Sequence, residues 1–174
     1  MSGANEQVIL LSDDGAAIGV ADKSTVHDRE TPLHLAFSCH VFDAEGRILV
    51  TRRALTKRTW PGVWTNSFCG HPAPGEDPEA AVLRRARDEL GLELDGLSLA
   101  LPDFRYLAVD ASGIVENEVC PVYRAETRDA VAPNPDEVAE FAWVSPESLH
   151  AAAIAAPYAF SPWLGWQLEQ LAQN

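Results

Sequence analysis

The segment TNSFCGH, residues 65–71, places a cysteine, a glycine and a histidine next to one another. A cysteine in such a segment can be a buried packing residue, half of a disulfide, a metal ligand or a nucleophile. The chain has three cysteines, Cys39, Cys69 and Cys120, and no CxxC spacing, which argues against a disulfide framework and a cysteine-rich zinc site. Packing, metal binding and nucleophilic chemistry all remain open for Cys69.

Three of the five histidines lie in polar, turn-rich segments where metal ligands are often presented: His27, His34 and His71. A single histidine is more often a surface or core residue than a ligand. We interpret His40, inside a predicted strand, and His150, on a predicted helix, in that way.

Two glutamates alternate with Val115, Asn117 and Val119 in the segment VENEV. In a strand, Glu116 and Glu118 would share one face, roughly 7 Å apart. On a solvated face they need no explanation, whereas buried carboxylates require a metal, a cation or a proton. With three imidazoles they would form a mixed nitrogen and oxygen site, suited to zinc, manganese or a similar divalent ion. The spacing alone does not show that these side chains converge.

The net charge of −13 opposes binding to nucleic acid and to anionic membranes, both of which favour a basic surface. Four of the thirteen basic residues nevertheless fall within the seven-residue segment RRALTKR: Arg52, Arg53, Lys57 and Arg58. This cluster fits a solvated strand end and an anion site equally well. The chain has no apolar stretch near the roughly 18 residues of a membrane span and no signal-peptide pattern at its start. We therefore expect a soluble, cytoplasmic protein with reduced thiols.

The clearest predicted helix covers residues 77–92, DPEAAVLRRARDELGL. Asp77 is a suitable N-cap, and Gly91 can adopt the left-handed conformation that ends a helix. Arg85 and Glu89 are four residues apart and can form a pair on the helix surface. Four apolar residues are predicted to form its packing face: Val82, Leu83, Ala86 and Leu90.

Strand patterns and two further helices surround this helix. The predicted strands cover residues 8–11, 35–42, 47–53, 104–109, 113–123 and 141–144, and the predicted helices cover residues 145–156 and 161–173. Pro121 predicts an edge or a bulge at the end of strand 113–123. Strands and helices interleave without a linker, so we expect one α/β domain over residues 1–174.

The segment GHPAPGEDPEAAVLRRARDELGL resembles the Nudix box, whose pattern is G, five residues, E, seven residues, REUXEEXGU, with U apolar. The matching positions are Gly70, Glu76, Arg84, Ala86, Glu89, Gly91 and Leu92, with Asp88 in place of a glutamate. This resemblance implies a Nudix-like α/β/α sandwich with a mixed sheet. Arg85 departs from the pattern because Nudix hydrolases carry a glutamate there. The reversed charge argues against ordinary diphosphate hydrolysis.

The wider chain, residues 7–165, is similar to one Nudix branch, the type I isopentenyl diphosphate isomerases. The segments that carry this resemblance are HLAFS, LVTRRAL, WPGVWTNSFCGHP, PDFRY, SGIVENEVCPV and FSPW. It implies an enzyme of isoprene biosynthesis that interconverts isopentenyl diphosphate and dimethylallyl diphosphate. Two rivals are a Nudix pyrophosphohydrolase and a noncatalytic metal or diphosphate-binding module. Arg85 and Cys69 favour the isomerase.

The resemblance also implies two metal ions and no organic cofactor. One Mn²⁺ or Zn²⁺ would bind the first site, which consists of His27, His34, His71, Glu116 and Glu118. Mg²⁺ would be held by the substrate diphosphate, Glu89 and a backbone carbonyl at or near Cys69, because magnesium prefers hard oxygen ligands. Four basic residues match the positions that hold the diphosphate: Lys23, Arg53, Lys57 and Arg85. Arg52 and Arg58 are expected at the surface.

The implied catalytic residues are Cys69, Glu118, Tyr106 and Trp163. In the forward direction Glu118, assisted by Tyr106, would be the acid and Cys69 the base, with the roles exchanged in reverse. Trp163 would face the developing cation or, alternatively, pack as a core aromatic. The expected pocket walls are the segment WPGVW and the C-terminal aromatic residues Tyr158, Phe160 and Trp163. The only expected partner is a small diphosphate; the oligomeric state is left open, and a monomer is compatible with the sequence.

Overall fold

Two β-sheets and four α-helices make up residues 6–173, the part of the protein that the structure, a computed structural model, describes. The predicted domain of residues 1–174 therefore has residues 1–5 and 174 outside the described part. The strands are β1 Gln7–Leu11, β2 Ala17–Asp22, β3 His34–Leu35, β4 Phe37–Phe42, β5 Ile48–Arg53, β6 Trp64–Thr65, β7 Phe68–Gly70, β8 Asp95–Leu101, β9 Arg105–Val109, β10 Val115–Val119, β11 Val122–Glu126 and β12 Val138–Val144. The helices are α1 Lys23–Val26, α2 Pro78–Leu90, α3 Pro146–Ala155 and α4 Pro162–Leu171.

The five-stranded sheet has the order β2-β1-β3-β10-β9, and the seven-stranded sheet has the order β12-β5-β4-β11-β8. Strands β6 and β7 complete the larger sheet by pairing with β5 and β4. The pairs β3/β10 and β4/β11 are parallel, whereas the other pairs are antiparallel. Both sheets are therefore mixed, as the sequence predicted for the fold.

Two predicted strands, 35–42 and 113–123, are each divided between the two sheets. The first changes sheet at Ala36 and the second at the Cys120–Pro121 peptide. Pro121 has no N–H for a ladder, but its carbonyl accepts a hydrogen bond from Ser38 N at 3.0 Å. The prediction of one continuous strand is wrong for both segments, because two neighbouring parallel strands bend together from one sheet into the other.

Helix α2 begins and ends where the sequence predicted. The Asp77 side chain accepts a hydrogen bond from Ala80 N at 3.0 Å, and Gly91 ends the helix with φ of 66°. The predicted packing face needs one correction, since Leu83 is only half-buried. The fully buried residues are Ala81, Val82, Ala86 and Leu90, and the charged pair Arg85 and Glu89 is buried to 8% exposure. The helix is rotated so that this pair, rather than Leu83, faces the interior.

The seven-stranded sheet is covered on both faces. Leu49 of β5 packs in the cluster that contains α2, whereas its neighbours Ile48 and Val50 pack against Leu149 of α3 and Leu164 of α4. This alternation gives the helix, sheet and helix layers of an α/β/α sandwich. Among residues 6–173, no helix is both long and apolar enough to cross a membrane.

Candidate active site

A cavity of about 250 Å³ opens beside α2 and the five-stranded sheet. It brings together residues that are far apart in the sequence. The predicted site residues in its lining are Lys23, His27, Arg53, Lys57, Cys69, His71, Arg85, Glu89, Tyr106, Glu116, Glu118 and Trp163. His34, the remaining predicted residue, is fully buried and contacts Glu118 from behind the lining.

Glu118 lies on β10 between two strands that supply its partners. In register it stands opposite His34 of β3 on one side and Tyr106 of β9 on the other. The Tyr106 hydroxyl donates to Glu118 Oε2 at 2.8 Å. Glu118 Oε1 lies 3.3 Å from His34 Nε2 and 3.2 Å from His71 Nε2. The two oxygens of one buried carboxylate thus face two different chemical groups.

The three predicted histidine ligands form one cluster with Glu118. Their ring centroids are 5.0 to 5.9 Å apart, and the candidate ligand atoms of the four residues all lie within 4.8 Å of one another. His27 follows α1 as its C-terminal cap, His34 begins β3, and His71 comes directly after β7. Three separate elements therefore converge on one point.

The unsatisfied nitrogens of this cluster fit a divalent metal ion. His27 Nε2, His34 Nε2 and His71 Nδ1 are buried and make no hydrogen bond to any described residue. His34 Nδ1 lies 2.9 Å from the carbonyl of Pro32, which can only accept, so Nδ1 carries the proton and Nε2 keeps a lone pair. Buried polar atoms without partners are costly, and a metal ion bound beside Glu118 would satisfy His27 Nε2 and His34 Nε2.

Glu116 lies beside this cluster rather than within it. Its Oε1 accepts a hydrogen bond from the Thr59 hydroxyl at 2.7 Å, and its Oε2 lies 3.1 Å from His27 Nε2. The sequence did not indicate Thr59 as a site residue. Thr59 orients the Glu116 carboxylate toward His27, so the other oxygen can still approach an ion bound by the histidines.

Burial and the mutual contacts of the cluster set its protonation states. Burial would lower the pKa of His34, but its contact with Glu118 raises that pKa above the ordinary value. Burial lowers the pKa of His71. Burial would raise the pKa of Glu118, yet the neighbouring imidazoles of His34 and His71 hold that pKa well below its usual range. Glu118 is therefore a carboxylate in the free protein.

Cys69 lies in the middle of β7, in register with Ser38 of β4. Its Sγ is 3.3 Å from Ser38 Oγ and 3.3 Å from Asn66 Oδ1. The Trp163 indole N–H donates to the same Asn66 oxygen at 3.1 Å, so one buried amide orients both side chains. Burial raises the pKa of Cys69 to about 11, and the free protein holds a thiol. Ser38 and Asn66 were not predicted, although both fall in segments that carry the resemblance.

Arg85 projects from α2 into the cavity between two carboxylates. Its Nη2 lies 3.0 Å from Glu89 Oε2 and 3.8 Å from Glu137 Oε2, and Lys57 bonds to Glu137 as well. Burial raises the pKa of Glu89, and the Arg85 charge opposes this shift. Glu137 was not among the predicted site residues, because the loop before β12 has no periodic pattern. These contacts keep the cations of the cavity in place in the free protein.

The remaining predicted cations enter the cavity from two other elements. Lys23 begins α1 and bonds to Glu6. The Arg53 guanidinium, at the end of β5, donates to the carbonyls of Thr59 and Trp60 and lies 5.6 Å from the Trp163 ring centroid.

The two arginines expected at the surface have different positions. Arg52 bonds to the carbonyl of Gly62 and to Glu140, and it is not part of the cavity lining. Arg58 is exposed as predicted, but it also lines the cavity, with Nη1 3.2 Å from the carbonyl of Ser24. Arg58 is therefore a surface residue at the edge of the cavity.

Trp163 is buried at the start of α4 and packs against the walls of the site. Its ring is stacked with Tyr106 at a centroid distance of 5.5 Å and meets Trp60 edge-on at 5.2 Å. Two other predicted wall residues are wrong for this cavity. Tyr158 is 86% exposed, and Phe160 packs in the cluster of α3 and α4.

Comparison with known proteins identifies the family. The family model described as NUDIX domain matches residues 32–164. A protein named isopentenyl-diphosphate Delta-isomerase from Clavibacter michiganensis is 66% identical over 166 residues, which is 95% of this chain and 86% of that protein. The chain belongs to the Nudix isopentenyl-diphosphate isomerase family. A second Nudix isomerase relative of the same name, from Leifsonia xyli, is 62% identical over 98% of this chain and 94% of its own length.

Solved structures share the Nudix fold at lower identity. A protein from Deinococcus radiodurans superposes with a TM-score of 0.73 and 22% identity, covering 95% of this chain and 99% of its own. A MutT protein from Methanosarcina mazei has a TM-score of 0.66 and 18% identity, with 83% and 96% covered. These likenesses confirm the predicted Nudix-like α/β/α sandwich.

Gly70 and Arg84 of the Nudix box in this isomerase family member have structural roles. Arg84 binds Glu76 through two hydrogen bonds of 2.8 and 2.9 Å, which ties α2 to the loop before it. A Cβ on Gly70 would lie 2.7 Å from Phe37 Cζ and 2.8 Å from Arg85 Cγ, so only glycine permits this approach. Nudix enzymes use divalent metals, and the histidine and glutamate cluster is able to hold one.

Proposed function

We propose that this chain is an isomerase that interconverts isopentenyl diphosphate and dimethylallyl diphosphate through a 1,3-allylic proton shift. The relatives that carry this activity in their name match nearly the whole chain. The observation that carries the proposal is that a thiol, Cys69, and a carboxylate, Glu118, face one cavity in which the Nudix-box helix presents a cation, Arg85.

The reaction requires two groups that exchange protons with different carbons. An unactivated allylic C–H is a very weak acid, so removal of a proton by a base alone is slow. Addition of a proton to the terminal alkene carbon creates a tertiary carbocation, and the adjacent C–H then loses its proton readily. Cys69 and Glu118 are the acid/base groups proposed for these two steps.

In the forward direction, from isopentenyl to dimethylallyl diphosphate, Glu118, assisted by Tyr106, adds a proton to the terminal alkene carbon. Cys69 then removes a proton from the C–H next to the cation. The two residues exchange these roles in the return reaction. In the free protein Glu118 is a carboxylate and Cys69 a thiol, which are the protonation states that the return direction uses. The forward direction therefore begins from the state in which Glu118 has gained a proton and Cys69 has lost one.

The cations of the cavity are proposed to hold the diphosphate. They are Lys23, Arg53, Lys57 and Arg85. Lys57 and Arg85 contact Glu137 in the free protein, so a diphosphate would exchange these contacts for stronger ones with several oxygens. Glu89 and the backbone carbonyl of Cys69 are proposed ligands of Mg²⁺ carried by the diphosphate, since magnesium prefers oxygen ligands.

The histidine cluster is proposed to hold one Mn²⁺ or Zn²⁺. His27, His34 and His71 offer imidazole nitrogens, and Glu116 and Glu118 offer carboxylate oxygens, a set that suits these ions. When bound, the ion would supply positive charge beside Glu118 and orient its carboxylate. Glu118 then presents the oxygen bonded to Tyr106 toward the substrate.

The Trp163 ring is proposed to face the carbocation. Its π face would stabilise the developing charge by about 1 to 2 kcal/mol in a desolvated site. Its stacking on Tyr106 and its bond to Asn66 fix the orientation of the ring. The surrounding aromatic residues also exclude water, which would otherwise capture the cation.

We also propose that residues 1–174 act as one domain in the cytoplasm, with a small diphosphate as the substrate and no organic cofactor. The shared cavity supports this domain proposal, because its lining comes from elements between α1 and α4. A monomer contains every proposed site residue.

Proton NMR in deuterium oxide tests the proposed function. Metal-replete protein incubated with isopentenyl diphosphate is expected to form dimethylallyl diphosphate with deuterium in an intact C5 diphosphate, and a chelator is expected to stop exchange. A pyrophosphohydrolase would instead release phosphate from nucleoside diphosphate derivatives. No deuterium uptake and no isomer product from metal-replete protein would refute the proposal.

A further inference from the structure

A chain of buried hydrogen bonds runs from Cys69 into the interior, away from the cavity. Ser38 Oγ lies 3.3 Å from Cys69 Sγ, Gln167 Nε2 lies 2.9 Å from Ser38 Oγ, and Gln167 Oε1 lies 2.8 Å from His40 Nε2. Ser38, His40 and Gln167 are each 0% exposed. None of the three is a proposed metal ligand or diphosphate contact, and only Ser38 touches a proposed acid/base group. Buried polar groups destabilise a protein unless all of them are hydrogen-bonded. A buried polar network in this position therefore suggests a functional role.

The tautomer of His40 determines which atom donates in each hydrogen bond between His40 and Cys69. Its Nδ1 is buried and has no hydrogen-bond partner within residues 6–173. Burial lowers the pKa of His40 to about 4, so the ring is neutral and carries one proton. A buried N–H without an acceptor costs more than a buried lone pair without a donor. The proton therefore belongs on Nε2, which donates to Gln167 Oε1.

The orientation of the Gln167 amide determines how Ser38 is hydrogen-bonded. Since its amide oxygen faces His40, its amide nitrogen faces Ser38 and donates to Oγ. Cys120 Sγ lies 3.4 Å from the same oxygen, and burial raises the pKa of Cys120 well above its usual range. Cys120 is therefore a thiol that can donate to the second lone pair of Ser38. The single hydroxyl hydrogen of Ser38 is left for Cys69.

We propose that Gln167 and His40 hold the Ser38 hydroxyl as a permanent hydrogen-bond donor to Cys69 Sγ. This inference rests on the proposed isomerase function, in which Cys69 alternates between thiol and thiolate. Ser38, Gln167 and His40 are positioning residues, because they act on the substrate only through Cys69.

Asn66 completes the arrangement on the other side of Cys69. Its amide nitrogen donates to the carbonyls of Cys39 and Phe68 at 3.2 and 2.7 Å, so its Oδ1 is fixed as an acceptor facing Cys69. The thiol form of Cys69 donates to Asn66, and the thiolate form accepts from Ser38. A reversible proton transfer needs both forms to be supported, and the two neighbours supply one partner for each.

A double-mutant cycle on the full, metal-replete protein tests this chain. Ser38→Ala is expected to lower kcat about tenfold, the effect of one hydrogen bond to a charged group, with KM unchanged because Ser38 contacts no cation of the cavity. Gln167→Met is expected to lower kcat by less than Ser38→Ala does, because the Ser38 hydroxyl is still present. The double variant should match Ser38→Ala, since Gln167 acts only through Ser38. If Gln167→Met does not fold, His40→Phe takes its place in the cycle.

Thr127→Val is the matched control. Thr127 is buried away from the cavity and donates to the carbonyl of Glu93 at 2.8 Å. This variant loses a buried hydroxyl hydrogen bond and should lower Tm while kcat stays unchanged. A merely structural role for Ser38 would give the same pattern as Thr127→Val and would overturn the proposal, as would additive losses of kcat in the double variant.

A spectroscopic measurement separates this inference from the proposed function. The ¹⁵N chemical shifts of the His40 ring in the unmodified protein should show a neutral ring protonated at Nε2. Protonation at Nδ1 would reverse the hydrogen bonds and overturn the proposal even if the protein is an active isomerase. If unmodified protein does not isomerise isopentenyl diphosphate, the proposed function is refuted. The His40 tautomer still determines, independently, whether the Ser38 hydroxyl donates to Cys69.

Discussion

Tyr106 donates a buried hydrogen bond of 2.8 Å to Glu118, and the two residues stand directly opposite one another on neighbouring antiparallel strands. The bond occupies Oε2, whereas Oε1 of the same carboxylate faces His34 and His71. The pairing of β10 with β9 and β3 therefore places one oxygen of Glu118 toward the Tyr106 phenol and the other toward the histidines. Burial raises the pKa of Tyr106 well above its usual value, so the phenol remains a donor.

Tyr106→Phe removes that donor and is expected to lower kcat by about 10- to 100-fold, a fraction of a full acid/base contribution. KM should stay unchanged because Tyr106 contacts none of the diphosphate cations. Steady-state kinetics of isomerisation measure both. Tyr123→Phe, at a buried tyrosine of the main core, is the matched control and should retain activity. Equal effects of the two substitutions would contradict the role of Tyr106.

Cys69→Ala is expected to abolish isomerisation while circular dichroism and bound metal stay close to those of the unmodified protein. In the proposed mechanism the thiol exchanges a proton with the substrate, and alanine has no group that can do so. The control is Cys39→Ala, which removes a buried thiol from the core and should lower stability by on the order of 1 kcal/mol with activity retained. Turnover of Cys69→Ala near the original rate would remove the thiol from the mechanism.

His71→Ala is expected to weaken binding of Mn²⁺ or Zn²⁺ by more than about 100-fold, because even groups behind the ligands contribute about 10- to 100-fold. Metal content after dialysis, measured by mass spectrometry, and titration calorimetry report the change. His150→Ala should bind the metal normally, since His150 lies outside the cluster. Unchanged metal content in His71→Ala would show that the ion binds elsewhere.

Arg85→Met leaves Glu89 and Glu137 without their shared partner in a buried site. We expect the free energy of unfolding to fall by about 3 to 5 kcal/mol, the cost of breaking a buried ion pair. The adjacent Arg84 is more exposed, and Arg84→Met should cost less than about 1 kcal/mol. Urea unfolding of both variants measures the difference. Equal losses would mean that Arg85 is not the partner on which these carboxylates depend.

Acid should destabilise the protein through His40. The folded pKa of about 4 lies below the ordinary value of about 6.5, so between these values the unfolded chain binds a proton that the folded protein excludes. The neutral His40 ring makes its full contribution to the free energy of unfolding above pH 6.5. This contribution of roughly 3 kcal/mol is lost as the pH falls toward 4. In His40→Phe the pH dependence of unfolding over this range should be weaker by that amount. Parallel pH profiles for both proteins would contradict a neutral buried ring.

Several features of the site follow from local sequence. Asp77 and Gly91 bound α2 because a side-chain cap and a left-handed residue act within one helical turn. Because side chains alternate between the two faces of a strand, Glu116 and Glu118 share one buried face of β10. The family resemblance assigned the histidines, the cations and the two acid/base groups to positions that the structure places around one cavity.

Other features depend on contacts between distant parts of the chain, and no local pattern reports them. The backbone passes from one sheet to the other at Ala36 and at Pro121. This happens because two neighbouring segments, about 80 residues apart in the sequence, bend side by side. Glu137 comes from a loop without periodicity, yet it pairs with Lys57 and with Arg85. Arg58 lines the cavity although its side chain is exposed.

The sequence by itself determined the residue types, the Nudix-box helix and the set of groups able to bind metal, bind diphosphate and exchange protons. Only the tertiary structure decided which oxygen of Glu118 faces Tyr106 and which groups surround the Cys69 sulfur. The bond between His40 and Gln167 joins residues 127 positions apart. Hydrogen bonds are directional and short, so a contact of this kind exists only when packing brings both partners within about 3 Å in the correct orientation.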